Sequence, residues 1–310
     1  MKSLYNTYLN LFTIPPFLEK YLNVPSLIRL KNISYLCGME YASKDIYDFK
    51  ENISRYDHSL TVALLTWKFT NDKLSTLTGL FHDIATPCFS HTIDYMNKDY
   101  ETQESTEEYT EEIIKNDKIL LEQLKKDNIP YKALTNFKKY TIVDNERPKL
   151  CADRFDGIIL TGIAWTKTLS CNDIIEITSD LTVYDNEHGE KELGFKTLIP
   201  ALKAIETSEK IDLYCHSDED NYMMELLAKI TKHAIAKKIV CYKELFYIDE
   251  NTLFTRMKNS KDEYLLKLLY EFENIKKEDI KTFSLSNVKK REINPLINGK
   301  RYKDYMTILK

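Results

Sequence analysis

The stretch that decides the fold runs over residues 54–87, SRYDHSLTVALLTWKFTNDKLSTLTGLFHDIATP. Leu60, Ala63, Leu64 and Trp67 recur at the spacing of one helix face, and Leu74, Leu77, Phe81 and Ile84 repeat it after the turn-like Asn71-Asp72. Two packed helices are predicted. The first starts at Ser54, whose hydroxyl can cap it while Asp57, three residues on, reaches back to the Ser54 N–H. The second ends near Thr86, because Pro87 has no N–H to donate and pushes its predecessor away from helical geometry. His58 then lies in the opening turns of one helix, and His82 and Asp83 lie in the last turn of the other.

Working outward, Ser105 and Glu108 form a second capping pair that predicts an acidic helix over 105–124, and another helix is predicted over 134–143. Cys151, Phe155, Ile158, Ile159 and Gly162 keep helical spacing, so Asp153 and Asp156 share one side of a helix. Residues 179–197 break the pattern and alternate weakly about 185–189, as a small hairpin does. Helical spacing resumes at 198–204, at Met223, Leu227, Ile230 and Ala234, and at Leu265, Leu268, Leu269 and Phe272. The basic groups Lys289-Lys290-Arg291 and Lys300-Arg301-Tyr302-Lys303 then read as solvated surface, with the holding of a nucleotide phosphate or an anionic partner as the alternative. With no internal repeat and no linker, the chain is expected to be a mainly α single unit: a core over 1–178 and a C-terminal helical extension over 179–310 packed on it.

The 310 residues are 43% hydrophobic, 30% charged and 12% aromatic, which suits a globular chain and excludes a disordered one. A formal net charge of −4 leaves no global positive field, so nonspecific nucleic-acid coating is excluded. No apolar run approaches membrane-spanning length, and residues 1–17 lack the apolar stretch and small-residue cleavage site of a secretory signal. The six cysteines are scattered without a C-x-x-C pair. A cytoplasmic protein without a membrane partner is expected.

His58, His82, Asp83 and Asp153 together offer a divalent cation two imidazole and two carboxylate ligands and leave positions for water and substrate oxygens, the donor set of a hydrolytic site. His82 and Asp83 point about 100° apart on a helix. They can share one ion only near the helix end, with other helices supplying the rest. In order along the chain, Arg55-Tyr-Asp-His58-Ser-Leu-Thr-Val, Leu80-Phe-His82-Asp83-Ile, Pro87-Cys-Phe-Ser-His91 and Cys151-Ala-Asp153-Arg-Phe-Asp156 resemble the motifs of the HD-domain phosphohydrolases. The deoxynucleoside triphosphate triphosphohydrolase branch is the most similar, and its upstream helix is echoed by Arg29-Leu-Lys-Asn-Ile-Ser-Tyr-Leu-Cys-Gly.

The resemblance implies an HD-domain helical bundle with His58, His82, Asp83 and Asp153 as ligands of one divalent ion, which manganese, iron, nickel, cobalt, zinc or magnesium could supply. It makes Arg55 a contact to a substrate phosphate and His91 and Asp94 proton-handling or supporting groups. It also implies a phosphorylated small-molecule substrate of the nucleotide class and leaves room for a homo-oligomer. The interval between His91 and His188 holds none of the additional histidines that two-ion members of the fold use, which favours a mononuclear centre. Departures cluster on sugar recognition and proton transfer. Thr86 replaces a family histidine, Tyr35 a sugar-reading glutamine, Gly157 a tyrosine and Thr161 an aspartate, while Thr102-Gln-Glu104 stands in place of a His-Glu pair. A retained metal site on an altered substrate is one reading, and a metal- and nucleotide-binding sensor or partner-binding module is the other. Glu101 and Glu104 are candidates for the missing acid or base, and Arg154 and Lys149 for a phosphate contact. His188 and His216 read as solvent-exposed, and His233 as a partly buried histidine with a hydrogen-bond partner.

Overall fold

A computed structural model describes residues 3–103, 105–283, 285 and 288–308. The chain is mainly α, 57% helical, with a small four-stranded sheet. The helices before the sheet are α1 (Leu4–Leu9), α2 (Pro25–Arg29), α3 (Arg55–Thr70), α4 (Lys73–Phe81), α5 (Thr92–Asn97), α6 (Thr110–Asn116), α7 (Lys118–Lys126), α8 (Ala152–Ala164) and α9 (Cys171–Asp180). The hairpin β1 (Leu181–Asp185) and β2 (Lys191–Phe195) follows, then α10 (Leu198–Cys215), α11 (Asp218–Ala236), α12 (Glu250–Lys258) and α13 (Glu263–Asn274). The short strands β3 (Leu296–Ile297) and β4 (Lys300–Arg301) and helix α14 (Tyr302–Ile308) close the chain. No helix among the described residues is long and apolar enough to cross a membrane.

The capping pair at Ser54 forms as the sequence demands: the Ser54 hydroxyl accepts the Asp57 N–H, and the Asp57 carboxylate accepts the Ser54 N–H at 2.9 Å. Helix α3 packs on both α4 and α8 and divides two apolar cores. Leu60, Ala63 and Leu64 face one core with Leu77, Leu227 and Leu268, while Val62 and Leu65 face the other with Phe155, Phe195 and Ile297. Burial on every side explains why one apolar stripe describes only half of this helix. Both cores mix residues from before and after position 179.

Three predicted helices end differently. Helix α4 stops at Phe81, and His82-Asp83 begin a run of turns. Half-buried Arg29 donates to the carbonyls of Ile84 (3.2 Å) and Thr86 (2.7 Å), and Thr86 N–H returns to Asp83 O, so these groups are taken from any continuing helix. The acidic helix breaks at Asp117, which closes α6 and caps α7 by accepting the Leu120 N–H. Ser105 instead starts a short 3₁₀ turn. The helix expected over 134–143 is absent, replaced by 3₁₀ turns at Tyr131–Leu134 and Phe137–Lys139. The carbonyls of Ile142 and Val143 accept the first N–H groups of α8, from Ala152 (2.7 Å) and Asp153 (3.1 Å).

The hairpin forms in the register Leu181↔Phe195 to Asp185↔Lys191, and β3 adds to it in parallel through Gly194↔Leu296. A side chain at Gly194 would stand 2.6 Å from the Leu296 carbonyl, so this pairing needs glycine. The C-terminal segment is thereby tied to the body of the protein. Its second basic group is not free surface: Arg301 pairs with buried Glu192 at 2.5 Å and with Glu187 at 2.8 Å.

Candidate metal centre

His58 comes from the second turn of α3, His82-Asp83 from the turn that ends α4, and Asp153 from the first turn of α8. The two buried imidazoles are each anchored at Nδ1 and face the same carboxylates with Nε2. His58 Nδ1 lies 2.7 Å from Asp156 Oδ2, and the other Asp156 oxygen accepts the Tyr8 hydroxyl at 2.9 Å. His82 Nδ1 lies 2.7 Å from the Gly79 carbonyl, an atom that can only accept, so this nitrogen carries the proton. His58 Nε2 is 3.0 Å from Asp153 Oδ1 and 3.7 Å from Asp83 Oδ2. His82 Nε2 is 3.5 Å from Asp153 Oδ1 and 3.7 Å from Asp83 Oδ1, and it is buried without a hydrogen-bond partner.

This arrangement fits a divalent cation. Anchoring Nδ1 by a carboxylate or a carbonyl fixes the tautomer that presents an Nε2 lone pair, as metal-bound histidines require. Ligand atoms of His58, His82 and Asp83 lie within 4.8 Å of one another. The electrostatics agree with a place made for positive charge. Burial pulls the His58 imidazole down, but its bonds to Asp153 and Asp156 outweigh this and push it up to about 10. Burial likewise opposes the charge on Asp83, yet His82, Arg55 and His58 hold that carboxyl well below the usual range. A second group, Asp144, Cys151 and Asp153, also gathers within 4.8 Å. Burial and the neighbouring acids push the Cys151 thiol up to about 12.

Arg55 is buried, with Nη1 2.8 Å from Asp83 Oδ2, Nε 3.2 Å from Ser90 Oγ and its guanidinium carbon 4.9 Å above the Tyr35 ring. It borders a cavity of about 190 Å³ whose lining also includes His58, His91, Asp153, Arg147 and Arg291. His91 Nδ1 is 2.9 Å from Asp94 Oδ2, and the fully buried Asp94 accepts the Ser105 N–H through its other oxygen. Burial pulls the His91 imidazole down, with Arg55 and Arg291 adding to that effect against Asp94. Tyr35, Gly157 and Thr161, three of the positions that depart from the resembled motifs, meet at this cavity. Tyr35 Oη occupies a point 3.0 Å from where a side chain on Gly157 would begin, and Thr161 lines the same wall. Thr86 is buried with its hydroxyl unpartnered.

Arg154 also lines the cavity, and the other candidates fall elsewhere. Arg154 turns to Asn145, the Lys149 carbonyl and Asp144, and Lys149 pairs with Glu190 at 3.1 Å, so both serve the approach to α8. Glu101 is exposed, and Glu104 lies outside the described residues. His188 is exposed and His233 meets Asp262 at 3.0 Å. His216 is exposed as well, with its ring held by Asp212 O at 2.7 Å and 3.3 Å from Val288 O. Sequence reasoning gave Asp156 no role at the site, although its position three residues after Asp153 on one helix side was the available signal. Arg147 gave no such signal, and Arg291 gave only that of a basic group, because only folding brings the two to one cavity.

The chain is similar to the uncharacterised protein YdhJ of Bacillus subtilis (strain 168), with 25% identity over 255 residues covering 81% of this chain and 74% of that protein. The HD-domain family model matches residues 55–139, a span that begins at Arg55, includes His58, His82, Asp83, His91 and Asp94, and stops before Asp153. Residues 55–139 are thus an HD domain, the helical fold whose members bind divalent metals, and Asp153 reaches it from the helix beyond.

Proposed function

We propose that the protein is a metal-dependent phosphohydrolase that cleaves a phosphoester or phosphoanhydride of a nucleotide, with His58, His82, Asp83 and Asp153 holding one divalent ion. The observation that carries this reading is the pair of Nδ1-anchored imidazoles aiming Nε2 at two carboxylates beside a cavity with an arginine in its wall. The bound cation would lower the pKa of a water and polarise the phosphate. Asp156 and the Gly79 carbonyl keep both imidazoles in the ligating tautomer. Arg55 steadies Asp83 and offers its remaining N–H groups to a phosphate oxygen. His91, oriented by Asp94 and with its imidazole pulled down by burial, is suited to pass a proton to or from the reacting group, the task for which Thr86 has no titratable atom. That pairing favours an enzyme over a sensor.

The test is a turnover panel of deoxynucleoside triphosphates, ribonucleotides and nucleoside monophosphates with added manganese, resolving triphosphate from single phosphate, with Asp83→Ala as control. Release of either product by the wild type alone supports the reading, and triphosphate release specifies the triphosphohydrolase chemistry. Ligand-induced thermal stabilisation without product over hours would assign the chain to the sensor class instead.

A further inference from the structure

The acids and bases around the cavity do not balance. Its lining includes four arginines but only two carboxyl groups, Asp153 and Asp220. Two of those arginines are already engaged, Arg55 with Asp83 and Arg154 with Asp144. Arg147 has no hydrogen bond or ion pair with any described residue, although it is half-buried. Arg291 lines the cavity and is fixed through its backbone. Its N–H donates to Asp212 Oδ1 at 2.5 Å, its carbonyl accepts the Ser208 hydroxyl, and among the described residues its guanidinium meets only the neutral amide oxygen of Gln103, at 2.8 Å. Lys289, two residues earlier, donates to the Thr102 carbonyl at 2.8 Å.

These cations crowd one another. Burial together with Arg291 and Arg154 pulls Arg147 down to about 10, and burial with Arg291 and Arg147 pulls Lys289 down to about 8. The remaining acid in the lining compensates little, since Asp220 is pushed up to about 7 by burial and accepts the Tyr47 hydroxyl at 2.6 Å. Guanidinium groups without carboxylate partners on a concave wall match phosphate oxygens, which they bind through parallel N–H donors.

Resting on the phosphohydrolase reading above, we propose that Arg147 and Arg291 form a second anion subsite that takes a phosphate of the substrate other than the one being cleaved. The substrate then carries at least two phosphates. The C-terminal segment is part of the binding site, supplying Arg291 directly and Lys289 behind it.

The experiment is calorimetric titration of the full chain, freed of metal by chelator and dialysed, with inorganic tripolyphosphate and orthophosphate as probes. Arg147→Gln and Arg291→Gln are each expected to weaken tripolyphosphate binding about tenfold, the scale of one charge-assisted contact, while orthophosphate changes less than about twofold. Lys300→Gln, which removes an exposed charge outside the cavity, should behave as wild type. Arg147 holds no intramolecular bond among the described residues, so its variant decides the matter even if Arg291→Gln folds poorly. Unchanged tripolyphosphate binding in Arg147→Gln overturns the subsite, as does equal loss of both probes. Failure of nucleoside triphosphates to displace bound tripolyphosphate overturns its assignment to the substrate. Loss of tripolyphosphate binding in the variants of a wild type that never turns over would sink the hydrolase reading and leave the anion subsite standing.

Discussion

Asp156 stands behind His58 in the proposed metal centre. Its carboxylate takes the Nδ1 proton at 2.7 Å and is itself steadied by Tyr8. Asp156→Asn keeps the shape but weakens that anchor, and metal affinity should fall by about tenfold or more, read by competition with a chromogenic chelator. An unchanged affinity would reduce Asp156 to a packing residue. At this scale the sequence was informative about identity and poor about partnership. His58, His82, Asp83 and Asp153, read together from their chemistry and helical placement, do come together in the fold. Arg55 was read as a phosphate contact, and its further bond to Asp83 is a pairing across 28 residues that no local pattern encodes.

Helix α3 owes its start to one local motif and its burial to long-range packing. Removing the Ser54 hydroxyl deprives the Asp57 N–H of its acceptor, so Ser54→Ala should lower stability by ~1 kcal/mol in urea unfolding with the denaturant slope unchanged. Because His58 is only one turn inside, the same variant should also loosen metal retention. Stability and retention both equal to wild type would contradict the capping account. Elements were legible where the signal is local, as at Ser54 and in the hairpin. They were misread where a backbone group is claimed from afar: Arg29 takes the carbonyls after His82-Asp83, and α8 takes those of Ile142 and Val143. Asp117 was the subtler miss, since a helix stop and a helix start on one aspartate look like a continuous acidic helix.

Across the whole molecule, the C-terminal strands lock the sheet to the approach of α8. Buried Glu192 binds Arg301 through both oxygens and also accepts the Leu150 N–H, two residues before that helix begins. Arg301→Ala strands this carboxylate without its cation and should cost ~3 kcal/mol of unfolding free energy, measured by denaturant titration. A cost under about 0.5 kcal/mol, the range of ordinary surface substitutions, would show that the pair is not a structural tie. The mainly α class followed from periodicity alone. The use of the basic tail did not, because Arg291 and Arg301 differ from the solvated Lys290 and Lys300 only in what the distant chain brings against them.

The central claim is that four side chains from three helix ends hold one divalent ion. The direct measurement is metal content per chain by inductively coupled plasma mass spectrometry after purification without chelator and reloading with manganese, on the wild type, His82→Ala and Asp83→Ala. About one tightly held ion per wild-type chain and loss of most of it in both variants is the predicted result. Wild-type occupancy retained by folded His82→Ala and Asp83→Ala proteins would contradict it.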